Sequence, residues 1–93
     1  MALKTLPFDA ADAVDTPEAQ AELLAEALAS GDPKVVAAAL GMIARAKGMS
    51  QMAREAGLSR EAIYRATGPE GNPTLSTLMA IVRSAGLKLS AAT

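Results

Sequence analysis

Apolar residues return at helical spacing in several stretches of this chain, and each stretch is bounded by clear start and stop signals. Thr16-Pro17-Glu18 sets a capping hydroxyl, a first-turn proline and a carboxylate at the positive end of a helix dipole. The helix it opens predicts Leu23, Leu24, Ala27 and Leu28 on one face and ends at Gly31. Asp32-Pro33 repeats the cap-then-proline signal and opens a second helix, with Val36, Leu40 and Ile43 on its stripe, that stops near Lys47 and Gly48. Ser50 is then read as the cap of a brief helix through Ala56, and Ser59 as the cap of another through about Thr67. Only Gly57 and Leu58 separate them, too short a link for antiparallel packing, so the two helices must cross steeply. Gly68-Pro69-Glu70-Gly71-Asn72-Pro73 is a loop rich in helix breakers. Thr74 caps a last helix whose buried stripe is predicted as Leu75, Leu78, Val82 and Ala85, closed by Gly86. A short turn or helix near Asp9 to Val14, anchored by Phe8, is expected ahead of these elements. The tail from Leu87 to Ser90 alternates apolar and polar residues, a pattern suited to a short C-terminal strand across a dimer interface.

Composition agrees with an all-α chain and limits its size. Ninety-three residues make one small domain. Of the 51% that are hydrophobic, many are alanine, which buries little area, and there is one Phe, one Tyr and no Trp. The core is therefore thin, the five methionines serve as core filler, and self-association into a homodimer is expected. Without His or Cys, the usual zinc sites, thiolate nucleophiles and imidazole bases are unavailable, and no carboxylate pair has convincing spacing. An enzyme is not expected, nor is a cofactor. No segment reads as a signal peptide or membrane span, so a cytoplasmic protein is expected.

Charge divides the chain more sharply than its net of −1 suggests. Through Pro33 there is one base, Lys4, against seven acids, a net of −6; from Lys34 onward eight bases oppose three acids, a net of +5. Two surfaces of opposite sign imply two partners, although an acidic helix also serves simply as a solvated face.

The segment from Ser50 to Ala66 has the form of a helix-turn-helix. Ala53 is small where the second helix crosses, Gly57 supplies a left-handed turn, and Leu58 and Ile63 fill the angle between the helices. At about 100° per residue, Arg60, Glu61, Tyr64 and Arg65 share one arc, with Ala62, Ile63 and Ala66 opposite. On DNA, the helix beginning at Ser50 would offer free N–H groups to a phosphate, and Gln51 would add a side-chain donor. Ser59 would make a backbone contact, Arg60 and Arg65 would reach guanine edges or phosphates, and Tyr64 a thymine methyl or a phosphate. Glu61 either accepts from a cytosine amine or complements the helix dipole.

This run resembles Cro/repressor-type helix-turn-helix domains, and so the chain resembles a small five-helix lambda-repressor-like domain with an N-terminal helical extension. A longer pattern is similar to the addiction-module antidote family: Thr16-Pro17-Glu18-Ala19, Gly31-Asp32-Pro33, Ala39-Leu40-Gly41, Ile43-Ala44-Arg45-Ala46, Gly48-Met49-Ser50-Gln51, Ala53-Arg54-Glu55, Gly57-Leu58-Ser59-Arg60-Glu61, Tyr64, Gly71-Asn72-Pro73 and Gly86-Leu87. Ala13 and Thr67 depart from that family's pattern, which commonly has an aromatic and a larger apolar residue there. The resemblance implies a type II antitoxin that binds a RelE/ParE-superfamily toxin and represses the shared operon at a palindromic operator. Residues 1–31 would then be the acidic, toxin-binding arm and helix, 32–86 the DNA-binding domain and 87–93 a tail. The toxin-binding residues would be Phe8, Asp9, Asp12, Asp15, Glu18, Glu22 and Glu26. A stand-alone helix-turn-helix regulator without a toxin is the alternative.

Overall fold

The computed structural model describes residues 14–93. These form five helices: α1 (Pro17–Ser30), α2 (Pro33–Lys47), α3 (Met49–Ala56), α4 (Arg60–Thr67) and α5 (Leu75–Ser84). Four of the five starts are set by the side chains that the sequence nominates. Thr16 accepts from the Ala19 N–H at 3.1 Å, Asp32 from Lys34 at 2.9 Å, Ser59 from Ala62 at 2.9 Å and Thr74 from Thr77 at 3.2 Å. Each satisfies one of the donors that a helix N-terminus leaves free.

The exception is α3. Its N-cap is Gly48 and no side chain caps it, so Ser50 lies inside the first turn and is not the cap. The glycine both ends α2, through hydrogen bonds from its N–H to the Ala44 and Arg45 carbonyls, and accepts from the Met52 N–H at 2.9 Å. With both roles taken by one residue, α3 begins earlier than a hydroxyl cap would have it.

The core is built around α2, which packs against all four other helices. Leu40, Ile43, Met52, Ile63 and Ile81 are its largest fully buried side chains, joined by Leu24 and Val82. Because Leu24 belongs to this cluster, α1 shares the core of the remaining helices. At the turn, Gly57 adopts φ 72°, and Leu58 and Ile63 pack into the angle between α3 and α4. Gln20 is buried on α1 and donates to the Val14 carbonyl at 2.8 Å.

Three expectations are corrected. Leu75 opens α5 beyond the edge of the core and is 68% exposed, while Ile81 occupies the buried position instead; Leu28, in the last turn of α1, is likewise exposed. Of the methionines, only Met52 is fully buried among the described residues, and Met79 is exposed. Residues 87–93 form no strand. The Leu87 N–H closes α5 on the Val82 carbonyl at 3.0 Å and its side chain packs on the core, so this part of the tail already has its bonding partner. Phe8, and nearly all of the turn expected at residues 9–14, lie outside the described residues. No described helix is long and apolar enough to cross a membrane.

Candidate functional site

α4 is a short helix held by one face. Ile63 is fully buried and Ala62 and Ala66 are half-buried, which turns Arg60, Glu61, Tyr64 and Arg65 outward, all exposed. The sequence-predicted arc is thus brought together on one surface, with Ser59 exposed at its start. Arg60 lies over Tyr64, with its guanidinium carbon 5.9 Å from the ring centroid and its Nη2 donating to the hydroxyl at 3.4 Å. This stacking pre-orders the two side chains while leaving Tyr64 52% exposed. Arg65, the residue after Tyr64, borders a groove shared with Glu70, Asn72 and Thr74 of the following loop. The helix end is pinned from inside, where Thr67 donates to the Ile63 carbonyl at 2.8 Å.

Ser50 and Gln51 are exposed in the first turn of α3, beside its uncapped N–H groups. One donor of Gln51 is taken, since its Nε2 donates to Glu55 Oε2 at 3.0 Å. Glu55 is the hub of a network that sequence reading missed. Lys47 pairs with Oε1 at 2.9 Å, Ser84 donates to the same oxygen at 3.3 Å, and Lys47 also donates to the Ser84 carbonyl at 2.6 Å. The Lys47 ammonium, then Gln51, holds the Glu55 carboxyl below its ordinary value. The network ties the ends of α2 and α5 to α3, and so fixes the platform on which α4 rests. The only hint of it in the sequence is the Gln51-to-Glu55 spacing of one helical turn.

The acidic residues occupy a different helix. Glu18, Glu22 and Glu26 step along α1 at four-residue intervals, exposed, with Asp15 exposed just before it. None takes part in an ion pair among the described residues. Phe8, Asp9 and Asp12, placed with them by sequence, lie outside the described residues. Leu23 and Leu24 face inward, with Leu24 in the core.

Comparison with known proteins places this geometry in a family. Residues 4–93 match the model of a family described as "Probable addiction module antidote protein". An uncharacterized protein of Haemophilus influenzae is 41% identical over 81 residues, covering 87% of this chain and 84% of its own length. No solved structure matches. With nearly every residue inside the family match, the chain belongs to the family of probable addiction module antidote proteins.

Proposed function

We propose that this chain is a type II antitoxin that neutralises a RelE/ParE-superfamily toxin by direct binding and represses its own operon through α3 and α4 acting as a helix-turn-helix. The observation that carries the reading is the separation of two unpaired charged surfaces, arginines and a tyrosine on α4 and a carboxylate ladder on α1. In the DNA complex α4 enters the major groove. Arg60, Tyr64 and Arg65 meet base edges and phosphates, and the first turn of α3, with Ser50 and Gln51, meets the backbone. Ser59 and Glu61 complete the entering end. Gln51 exchanges its bond to Glu55 for a phosphate. A homodimer places two such helices on a palindromic operator with half-sites ~10 base pairs apart. The acidic segment, Asp15, Glu18, Glu22 and Glu26 together with Phe8, Asp9 and Asp12, faces the basic toxin and accelerates its capture.

A mobility-shift assay at fixed salt on the DNA upstream of the gene tests this. Arg60→Ala and Arg65→Ala are each expected to weaken the complex by about 1–3 kcal/mol if they read bases. Toxin binding should be unaffected. Unchanged operator affinity in both variants would remove α4 from the groove. Conversely, exchanging Glu18, Glu22 and Glu26 together for lysine should slow toxin capture and leave the shift intact.

A further inference from the structure

An open groove of about 300 Å³ runs between α1 and α2, walled by Leu23, Ala27, Val35, Ala39 and Met42, with Glu26 on its α1 rim. Val35, Ala38 and Met42 recur at intervals of three and four, so they form one stripe along α2. The stripe is uncovered: Val35 is 42% exposed, Ala38 is exposed and Met42 is half-buried. The stripe is apolar surface that the core leaves uncovered in a chain with one Phe, one Tyr and no Trp.

We propose that the groove receives an apolar anchor side chain from a basic protein partner, the toxin of the preceding reading, on which this inference rests. Charge selects that occupant. Along the α1 rim, Glu26 is continued by Glu22 and Glu18, none of them in an ion pair among the described residues. Lys34 and Arg45 stand on the opposite edge, beside Ala38 and Met42. The partner segment therefore presents cations toward α1 and none toward the far edge, which fixes its direction as well as its sign. A second copy packed stripe to stripe with the α2 helices antiparallel would set Lys34 and Arg45 against those same residues of its mate, like charge on like; with the helices parallel it would set them against Glu26, an outcome that sedimentation reads below. An apolar pocket ringed by charge is the arrangement in which a few buried contacts dominate affinity.

Val35→Asp is the sharpest test. Position 35 lies in the first turn of α2, which contains no acidic residue, so an aspartate there suits the helix dipole and the fold should survive. Ala38→Lys is a second variant on the same exposed stripe. Both are titrated calorimetrically against the purified toxin encoded beside the gene, with the operator shift and sedimentation run in parallel. The expected result is a roughly tenfold or greater rise in Kd for the toxin, with operator binding and oligomeric state unchanged. Full toxin affinity in both variants, with affinity lost when Glu18, Glu22 and Glu26 become lysine, overturns the groove and leaves the antitoxin reading standing. Failure of the unaltered chain to bind that toxin overturns both. Loss of a dimer in Val35→Asp with toxin affinity intact makes the stripe a self-association face and overturns the proposal.

Discussion

Gly71→Ala probes the loop that folds back over the last turn of α4. A β-carbon at this position would stand 2.2 Å from the Ala66 carbonyl oxygen, 2.7 Å from the carbonyl carbon and 2.9 Å from the Gly68 carbonyl oxygen. Relaxed carbon–oxygen contacts lie near ~3.3 Å or beyond, so about an ångström must be recovered. All three obstructing atoms are backbone, and no rotamer change relieves them. Overpacking of this kind costs about 1–3 kcal/mol. The same movement strains the turn in which the Gly71 N–H donates to the Gly68 carbonyl at 2.8 Å, a bond worth about 1 kcal/mol. The sum, about 2–4 kcal/mol, converts at roughly 4–8 °C per kcal/mol to a fall of about 8–32 °C in Tm. Gly57→Ala is the control. Its φ of 72° makes alanine unfavourable by about 1–2 kcal/mol, but its β-carbon would meet nothing within 4 Å. Thermal unfolding followed by circular dichroism should rank the chains unaltered, Gly57→Ala, Gly71→Ala. A Gly71→Ala variant as stable as Gly57→Ala refutes the steric account.

Two further perturbations separate the platform from α4. Ser59→Ala removes the hydroxyl that accepts from Ala62 and should cost about 1 kcal/mol, weakening operator binding as the entering end of α4 frays, while capture of the toxin is unchanged. For Glu55 the folded-state carboxyl is depressed by Lys47 and Gln51, so its contribution to stability is present above the ordinary value of 4.5 and disappears as pH falls through the folded value. The stability gap between the unaltered chain and Glu55→Gln should therefore narrow in denaturant titrations taken from pH 7 to below pH 4.

What could be read from the sequence follows from how local each determinant is. Thr16, Asp32, Ser59 and Thr74 act on amides two or three residues away, so four helix starts were legible in the chain itself. Gly48 was misread in favour of Ser50 because it ends one helix and begins the next, a double role that spacing does not reveal. The exposed arc of α4 was legible because burial of Ile63 alone fixes where Arg60, Tyr64 and Arg65 point. The fate of Leu28 and Leu75 was not, because apolar periodicity marks a face without showing how far the core extends along it. Longer-range features were also missed. The Lys47–Glu55–Ser84 network joins three helices, and the Val35–Ala38–Met42 stripe stands out only once α1 is seen to leave it bare. In α2 the stripe of Val36, Leu40 and Ile43 was legible, with Leu40 and Ile43 buried and Val35 exposed outside it, but spacing did not show that Val35, Ala38 and Met42 form a second apolar stripe.

The position of α2 also explains how near neutrality conceals two separated charged surfaces. Ala39 lines the groove with α1, whereas a β-carbon on Gly41 would lie 3.2 Å from Thr67 Cβ of α4. These positions are two residues apart, about 200° around the helix, so α1 and α4 lie on opposite sides of α2. The described residues carry eight cations and eight carboxylates, yet Lys47 and Glu55 make the one ion pair among them. An intermixed surface of this composition would neutralise itself locally. Here the carboxylates on α1 and the arginines on α4 are held apart by the thickness of the central helix, so each surface keeps a field able to steer a partner of opposite sign. The bare stripe of α2 lies between them. On the proposed reading, a toxin segment seated there would meet the carboxylates of α1 along one edge and approach α4 along the other, which would leave Lys34 and Arg45 as the residues placed to feel both partners.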